Sequence, residues 1–117
     1  MSKSINILLG ISRYTLLFMV ISSIFGLVWM SAYYSEGELW AFAGGIGAAS
    51  LLFWSSSPAR LAEGNLFLIT VLVILFLYSM LIQWTVGADW AGRVLLMVEL
   101  LAFSFTVWAK AKALQST

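Results

Sequence analysis

Apolar stretches of about twenty residues follow one another through almost the whole chain and leave few positions for a water-facing surface. Of the 117 residues, 62% are apolar and 9% are charged, and the mean hydropathy is +1.01. A soluble domain carries about 25% charged residues and about 45–50% apolar ones. The sequence therefore predicts an integral membrane protein, with the lipid bilayer as its first partner.

Four of these stretches predict membrane-spanning helices, at about residues 14–34, 39–56, 65–87 and 90–109. A helix needs about 20 residues, at 1.5 Å each, to cross roughly 30 Å of hydrocarbon. The most apolar part of the second stretch reaches only about 24 Å, so we expect it to extend into the following serines or to lie where the bilayer is thin. Because the loops are short, the expected fold is an all-α four-helix bundle of two antiparallel hairpins, in one membrane domain over residues 1–117.

Basic residues predict the orientation of the spans, because Lys and Arg prefer the cytoplasmic side of a membrane. With both termini in the cytoplasm, five of the six basic residues lie inside, namely Lys3, Arg13, Arg60, Lys110 and Lys112. Arg93 is then left outside. We therefore expect an N-in, C-in topology, and from the compact form a bacterial inner membrane.

The loops and span ends carry local signals of their own. Tryptophan favours the headgroup level, and every tryptophan lies within about a turn of a predicted span end: Trp29, Trp40, Trp54, Trp84, Trp90 and Trp108. In the inner loop, Ser57 followed by Pro58 predicts a short interfacial helix over residues 58–63.

Polar residues near the outer side form a second group. Asp89 is expected to cap the fourth span and to pair with Arg93 one turn later. Gln83 continues a polar edge of the third span toward the same side. We expect these three residues to face the outer interface.

Small residues recur at four-residue spacing along the second span: Gly44, Gly45, Gly47, Ala48 and Ala49. Such spacing lets two helix backbones approach closely, which strengthens packing where lipid provides no hydrophobic drive. The residues are expected to pack inside the bundle or to form an interface with another copy or another membrane protein. Substrate binding on the exposed backbone is a third reading.

Glu99 is predicted to lie at the middle of the fourth span. A carboxylate there costs several kcal/mol unless it is protonated or paired, so it is a functional candidate by default. Matching depths along the spans brings Ser22, Ser23 and Ser79 close to it. We expect a protonated Glu99 to donate a hydrogen bond to one of these serines. Proton or cation handling and contact with a partner subunit are the alternatives.

Missing residue types exclude several chemistries. The chain has no Cys and no His, which removes thiolate catalysis, Cys-ligated metals and the usual haem ligand. It has no catalytic triad, no glycine-rich phosphate loop and no acidic cluster for magnesium. A net charge of +1 without a basic run does not fit a nucleic-acid partner. We therefore expect no enzyme, no metal site and no cofactor.

In length, number of predicted spans and single embedded carboxylate, the chain resembles the small multidrug resistance transporters. The resemblance is architectural, because that family carries its essential carboxylate in the first helix and the first span here has none. The histidines of the haem-binding anchor subunits of quinone-linked complexes are also missing. The sequence is assigned to neither family.

Three functions follow from this sequence. The leading expectation is a small non-catalytic membrane protein that acts as an accessory or modulatory subunit, through helix–helix contacts with a larger membrane complex. The alternative is a homo-oligomeric, proton- or cation-coupled transporter or channel with Glu99 as the ionisable site, since one copy encloses too little volume for a pathway. The third is a phage- or plasmid-type holin, immunity or exclusion protein, which no particular residue selects.

Overall fold

Four α-helices make up almost all of the chain in the computed structural model, which describes residues 3–33, 35–85 and 89–115. The helices are α1 (Lys3–Met30), α2 (Glu36–Ser55), α3 (Leu66–Thr85) and α4 (Trp90–Gln115). A single turn of 3₁₀ helix, Ser31–Tyr33, follows α1. No strand occurs in the described residues, and the all-α prediction is confirmed.

Each helix packs beside its sequence neighbour, and α1 closes the ring against α4. Two contacts give the directions. Arg13, in the first half of α1, reaches Ser56 at the end of α2, so these two helices are antiparallel. Lys110, near the end of α4, also reaches the end of α2 at Ser55, so α2 and α4 run parallel. The result is an up-down-up-down bundle that measures 45 × 26 × 20 Å.

The interior is filled with apolar side chains from all four helices: Leu16, Val20, Ala48, Ala49, Leu52, Leu72, Phe76, Ala102 and Phe103. The rings of Phe76 on α3 and Phe103 on α4 stack in parallel, with centroids 3.8 Å apart. α2 supplies mostly small residues to this core, which lets its neighbours approach closely.

Large apolar side chains also cover the outside of the bundle. Phe67 is 77% exposed, Leu101 69% and Phe25 68%. Helices that are apolar all round are typical of membrane spans. By length and composition, α1 (as Lys3–Trp29), α3 and α4 are able to cross a membrane. Judged by the same length and hydropathy over the described residues, α2 is not among them. α2 carries Glu36 and Glu38 in its first turn and is rich in Gly and Ala.

The start of α1 differs from the prediction. The helix begins at Lys3 rather than at residue 14, so its middle lies near Leu16 and not near Ser22. The residues before Arg13 are mostly apolar and continue the helix. Arg13 lies inside the helix, consistent with the high helix propensity of arginine, and its side chain donates hydrogen bonds to the end of α2.

The inner loop also differs from the prediction. Residues 58–63 form successive turns, not an interfacial helix: the Arg60 N–H donates to the Ser57 carbonyl and the Glu63 N–H to the Arg60 carbonyl. Several carbonyl groups of this loop accept hydrogen bonds from Lys110 on α4. That long-range contact competes with the i→i+4 bonds of a helix, and the sequence signal at Ser57 and Pro58 does not reveal it.

Candidate functional site

Glu99 lies on α4 at the register of that helix's buried residues, three positions after Leu96 and four before Phe103. Its side chain is partly buried. Within the described part of the chain its carboxyl group makes no hydrogen bond and no ion pair. A carboxyl group at such a place without a partner is a functional candidate, as the sequence predicts.

The serines predicted beside Glu99 have other surroundings. Ser79 is buried, and its Oγ accepts a hydrogen bond from Gln83 Nε2 at 2.8 Å. On α1, Ser22 is exposed and Ser23 partly buried. Among the residues that the structure describes, none of the three is hydrogen-bonded to Glu99.

The groove between α1 and α4 shows why Ser22 and Ser23 of α1 do not lie beside Glu99. Its wall brings Ser12 and Thr15 of α1 beside Val98, Leu101 and Ala102, the residues on either side of Glu99. The sequence-based match of depths used the middle of a span that begins at residue 14. Because α1 begins eleven residues earlier, a more N-terminal part of α1 lies beside that turn of α4.

The small residues of α2 divide into two groups. Gly45, Ala48 and Ala49 are buried, and a Cβ at Gly45 would overlap the Ser79 side chain of α3. A Cβ at Gly44 or Gly47 would meet no atom within 4 Å. One set therefore packs within the bundle, and the other leaves open space on the outside of α2.

The outer-side polar residues take up distinct contacts. Asp89 caps α4, because its carboxylate accepts the Gly92 N–H at 2.8 Å, and the cap prediction is confirmed. Its predicted ion pair with Arg93 is wrong, since the Arg93 guanidinium lies 5.0 Å from the centroid of the Trp84 ring instead. Gln83 donates to Ser79 and so turns toward the α2–α3 contact.

At the end of the bundle that holds the last turn of α2, Lys110 is fully buried. Its Nζ donates to the carbonyl oxygens of Ser55 at 2.6 Å, Glu63 at 2.9 Å and Arg60 at 3.2 Å. A fourth carbonyl, that of Leu61, lies at 3.4 Å. The ammonium group thereby binds the last turn of α2 and three carbonyls of the loop that follows it, where the partial negative charge of a helix C-terminus favours a cation.

Arg13 adds a second cation at the same place. Its NH2 group donates to the Phe53 carbonyl at 2.9 Å, and its Nε donates to Ser56 Oγ at 3.1 Å. Its guanidinium carbon also lies 4.5 Å from the centroid of the Phe53 ring. The end of α2 is thus held by side chains from both α1 and α4.

Sequence analysis treats Lys110 and Arg13 only as charges that set topology and misses these contacts. A signal for Lys110 exists in the sequence. It continues the spacing of the buried residues Phe103 and Thr106 along α4, which places it on the inward face. Arg13 has a comparable signal, because it lies four residues after Leu9 and three before Leu16, both of which are buried on α1.

The chemistry available to the described residues is limited. No group of three carboxylate, imidazole or thiol side chains gathers to hold a metal ion in that part of the chain. The cavities found there are apolar grooves on the outside of the bundle, such as the one of about 350 Å³ between α3 and α4. Comparisons with protein-family models, with curated proteins and with solved structures give no match.

Proposed function

We propose that this chain is an integral membrane protein of the bacterial inner membrane, with four spans and both termini in the cytoplasm. Exposed Phe and Leu side chains around the bundle support contact with lipid acyl chains. Arg13 and Lys110 both contact the end of α2, and the basic residues Lys3, Arg60 and Lys112 belong to the same end of the bundle. The preference of basic residues for the cytoplasm supports an orientation with this end inside.

α2 crosses the bilayer in this proposal although it is less apolar than its neighbours. Its first turn follows the end of α1, and its last turn contacts Arg13 and Lys110 at the opposite end of the bundle. Glu38 accepts the Ser35 N–H in a capping box, so its carboxylate has a partner at the outer interface. In the middle of α2, Gly45, Ala48 and Ala49 are buried in the bundle, with Gly45 against Ser79 of α3.

Within the membrane, the proposed role is that of a non-catalytic accessory or modulatory subunit of a larger complex. The observation that carries this proposal is the outward face of α2, where Gly44 and Gly47 leave open space. The exposed rings of Trp40 and Trp54 stand at the two ends of the same face. A transmembrane helix of a partner protein fits a surface of this kind, because small residues allow close backbone approach in lipid.

The test is affinity purification from native membranes in mild detergent, followed by native mass spectrometry. We expect a stoichiometric foreign subunit with the wild type, and its loss with Gly47→Leu. Gly10→Leu on α1 is the matched control, because Gly10 also has open space beyond its Cα and lies on another helix. Retention of the subunit by Gly47→Leu, or its equal loss in both variants, would contradict a contact through α2.

Glu99 favours a second candidate, a homo-oligomeric transporter or channel coupled to protons or cations. Its carboxyl group lies on the face of α4 that carries the buried Leu96 and Phe103 and has no hydrogen-bond partner among the described residues, which suits a group that gains and loses a proton or cation. Purification as a homo-oligomer without a foreign subunit would favour this candidate. Liposome flux that is equal for the wild type and Glu99→Gln would remove it.

A further inference from the structure

An apolar groove of about 520 Å³ runs between α1 and α4 on the outside of the bundle. Its walls are Leu8, Ser12 and Thr15 of α1 and Val98, Leu101, Ala102, Ser104 and Phe105 of α4. The Thr15 hydroxyl donates to the Ile11 carbonyl at 2.8 Å and is satisfied within its own helix. The groove therefore offers mainly hydrocarbon surface.

Aromatic and basic side chains follow the groove along α4, toward the C-terminal end of that helix. The Phe105 ring, which lines the groove, lies 5.6 Å from the Trp108 ring. The Lys112 ammonium lies 5.0 Å from the centroid of Trp108. Along α4 the apolar groove is followed by the Trp108 indole and then by the Lys112 ammonium. A lipid in one leaflet has the same order, from acyl chain through the interface to the headgroup.

The charge of Lys112 is not neutralised by the described part of the chain, where its ammonium makes no hydrogen bond and no ion pair. Lys110, two residues earlier, is fully buried and bonded to carbonyl groups. The Lys110 ammonium is therefore inaccessible to a ligand, whereas the Lys112 ammonium is accessible. Among the described residues, Lys112 contacts only the face of Trp108 and keeps an exposed ammonium group near the groove.

We infer that this groove binds one anionic glycerophospholipid of the cytoplasmic leaflet, with an acyl chain along α1 and α4 and its phosphate at Lys112. The inference rests on the membrane location proposed above. Lipid phosphate is complementary in charge to Lys112, and a cation near an anionic leaflet contributes to binding. A second copy of the chain in the same orientation would instead bring its own basic inner end to the same level.

The test measures lipid retention by the purified full chain in detergent, using native mass spectrometry with phosphatidylglycerol and phosphatidylcholine of identical acyl chains. We expect the wild type to prefer phosphatidylglycerol and Lys112→Gln to lose about fivefold of that preference. Lys3→Gln is the matched control, since Lys3 is also exposed and lies at the same end of the bundle, on another helix. Equal retention of the two lipids by the wild type, or an equal loss in both variants, would overturn the site.

Two further arms test the groove and the source of the phosphate. Leu101→Trp is expected to fill the groove and weaken retention of phosphatidylglycerol, whereas Leu51→Trp, at an exposed position on α2, leaves it unchanged. Unchanged retention by Leu101→Trp, or displacement of the lipid by free glycerol phosphate, would refute the inference. Carbonate extraction of the same membranes tests the membrane location separately, so failure of lipid binding and failure of that location are distinguishable.

Discussion

Lys110 on α4 donates a hydrogen bond of 2.6 Å to the carbonyl oxygen of Ser55, in the last turn of α2. One ammonium group thereby connects the first hairpin (α1 and α2) to the second (α3 and α4). The same group binds three carbonyls of the inner loop. The contact satisfies helix-end acceptors that otherwise have no partner within the helix.

Lys110→Met is expected to lower the free energy of unfolding by about 2–3 kcal/mol, because it keeps most of the side-chain volume and removes the donor of one buried and three partly buried hydrogen bonds. The measurement is reversible unfolding in mixed detergent micelles. Lys112→Met is the control, since that side chain is exposed and is expected to change stability by no more than about 0.5 kcal/mol. Equal stability of the two variants would show that the carbonyl contacts contribute nothing.

Neighbouring glycines on α2 give a second prediction. Gly45→Ala places a methyl group on the Ser79 side chain, and an overpacked contact costs about 1–3 kcal/mol. Gly44→Ala meets open space and is expected to stabilise the isolated chain, by up to about 1 kcal/mol, through helix propensity. Both are read from unfolding of the purified protein. Destabilisation by Gly44→Ala equal to that by Gly45→Ala would contradict the close approach of α2 and α3.

The contrast between Gly44 and Gly45 shows what the sequence pattern does not predict, namely which side of α2 faces α3. Four-residue spacing predicts that α2 has a close-packing face, and the structure has one. Spacing does not tell which of Gly44 and Gly45 lies on it, because the rotation of α2 is set by contacts with α3. The hydrogen bond from Gln83 to Ser79 lies at the same contact; its i,i+4 spacing on α3 is visible in the sequence, but the packing of Ser79 against Gly45 is not.

Hydropathy predicts the presence of all four helices but not the start of α1 or the form of the inner loop. Both deviations coincide with long-range contacts. α1 continues through Arg13, whose guanidinium donates to Phe53 and Ser56 at the end of α2. The loop departs from a helix where its carbonyls meet Lys110 on α4. Local sequence signals predict neither the contact of Arg13 with α2 nor that of Lys110 with the loop.

The stacked rings of Phe76 and Phe103 supply a third prediction. In a bilayer the transfer of apolar surface from water is not part of the folding step, so Phe76→Ala loses mainly the packing contacts and leaves a cavity. We expect a loss of about 2 kcal/mol in the free energy of unfolding in micelles, less than in a soluble core. Phe67→Ala, 77% exposed on the same helix, is expected to change little. A similar loss in both variants would mean that Phe76 is not a core residue.

Glu99 gives the last prediction, because its stability effect and its functional effect are expected to separate. The carboxyl group has no hydrogen-bond partner among the described residues, so neither Glu99→Gln nor Glu99→Leu removes a bond within them. Both variants are expected to stay within about 0.5 kcal/mol of the wild type or to gain stability in micelles. A hydrogen bond to another span would instead make Glu99→Leu cost about 1–2 kcal/mol. If stability is unchanged while partner capture or liposome flux is lost, Glu99 serves an interaction or an ion and not the fold of the isolated chain.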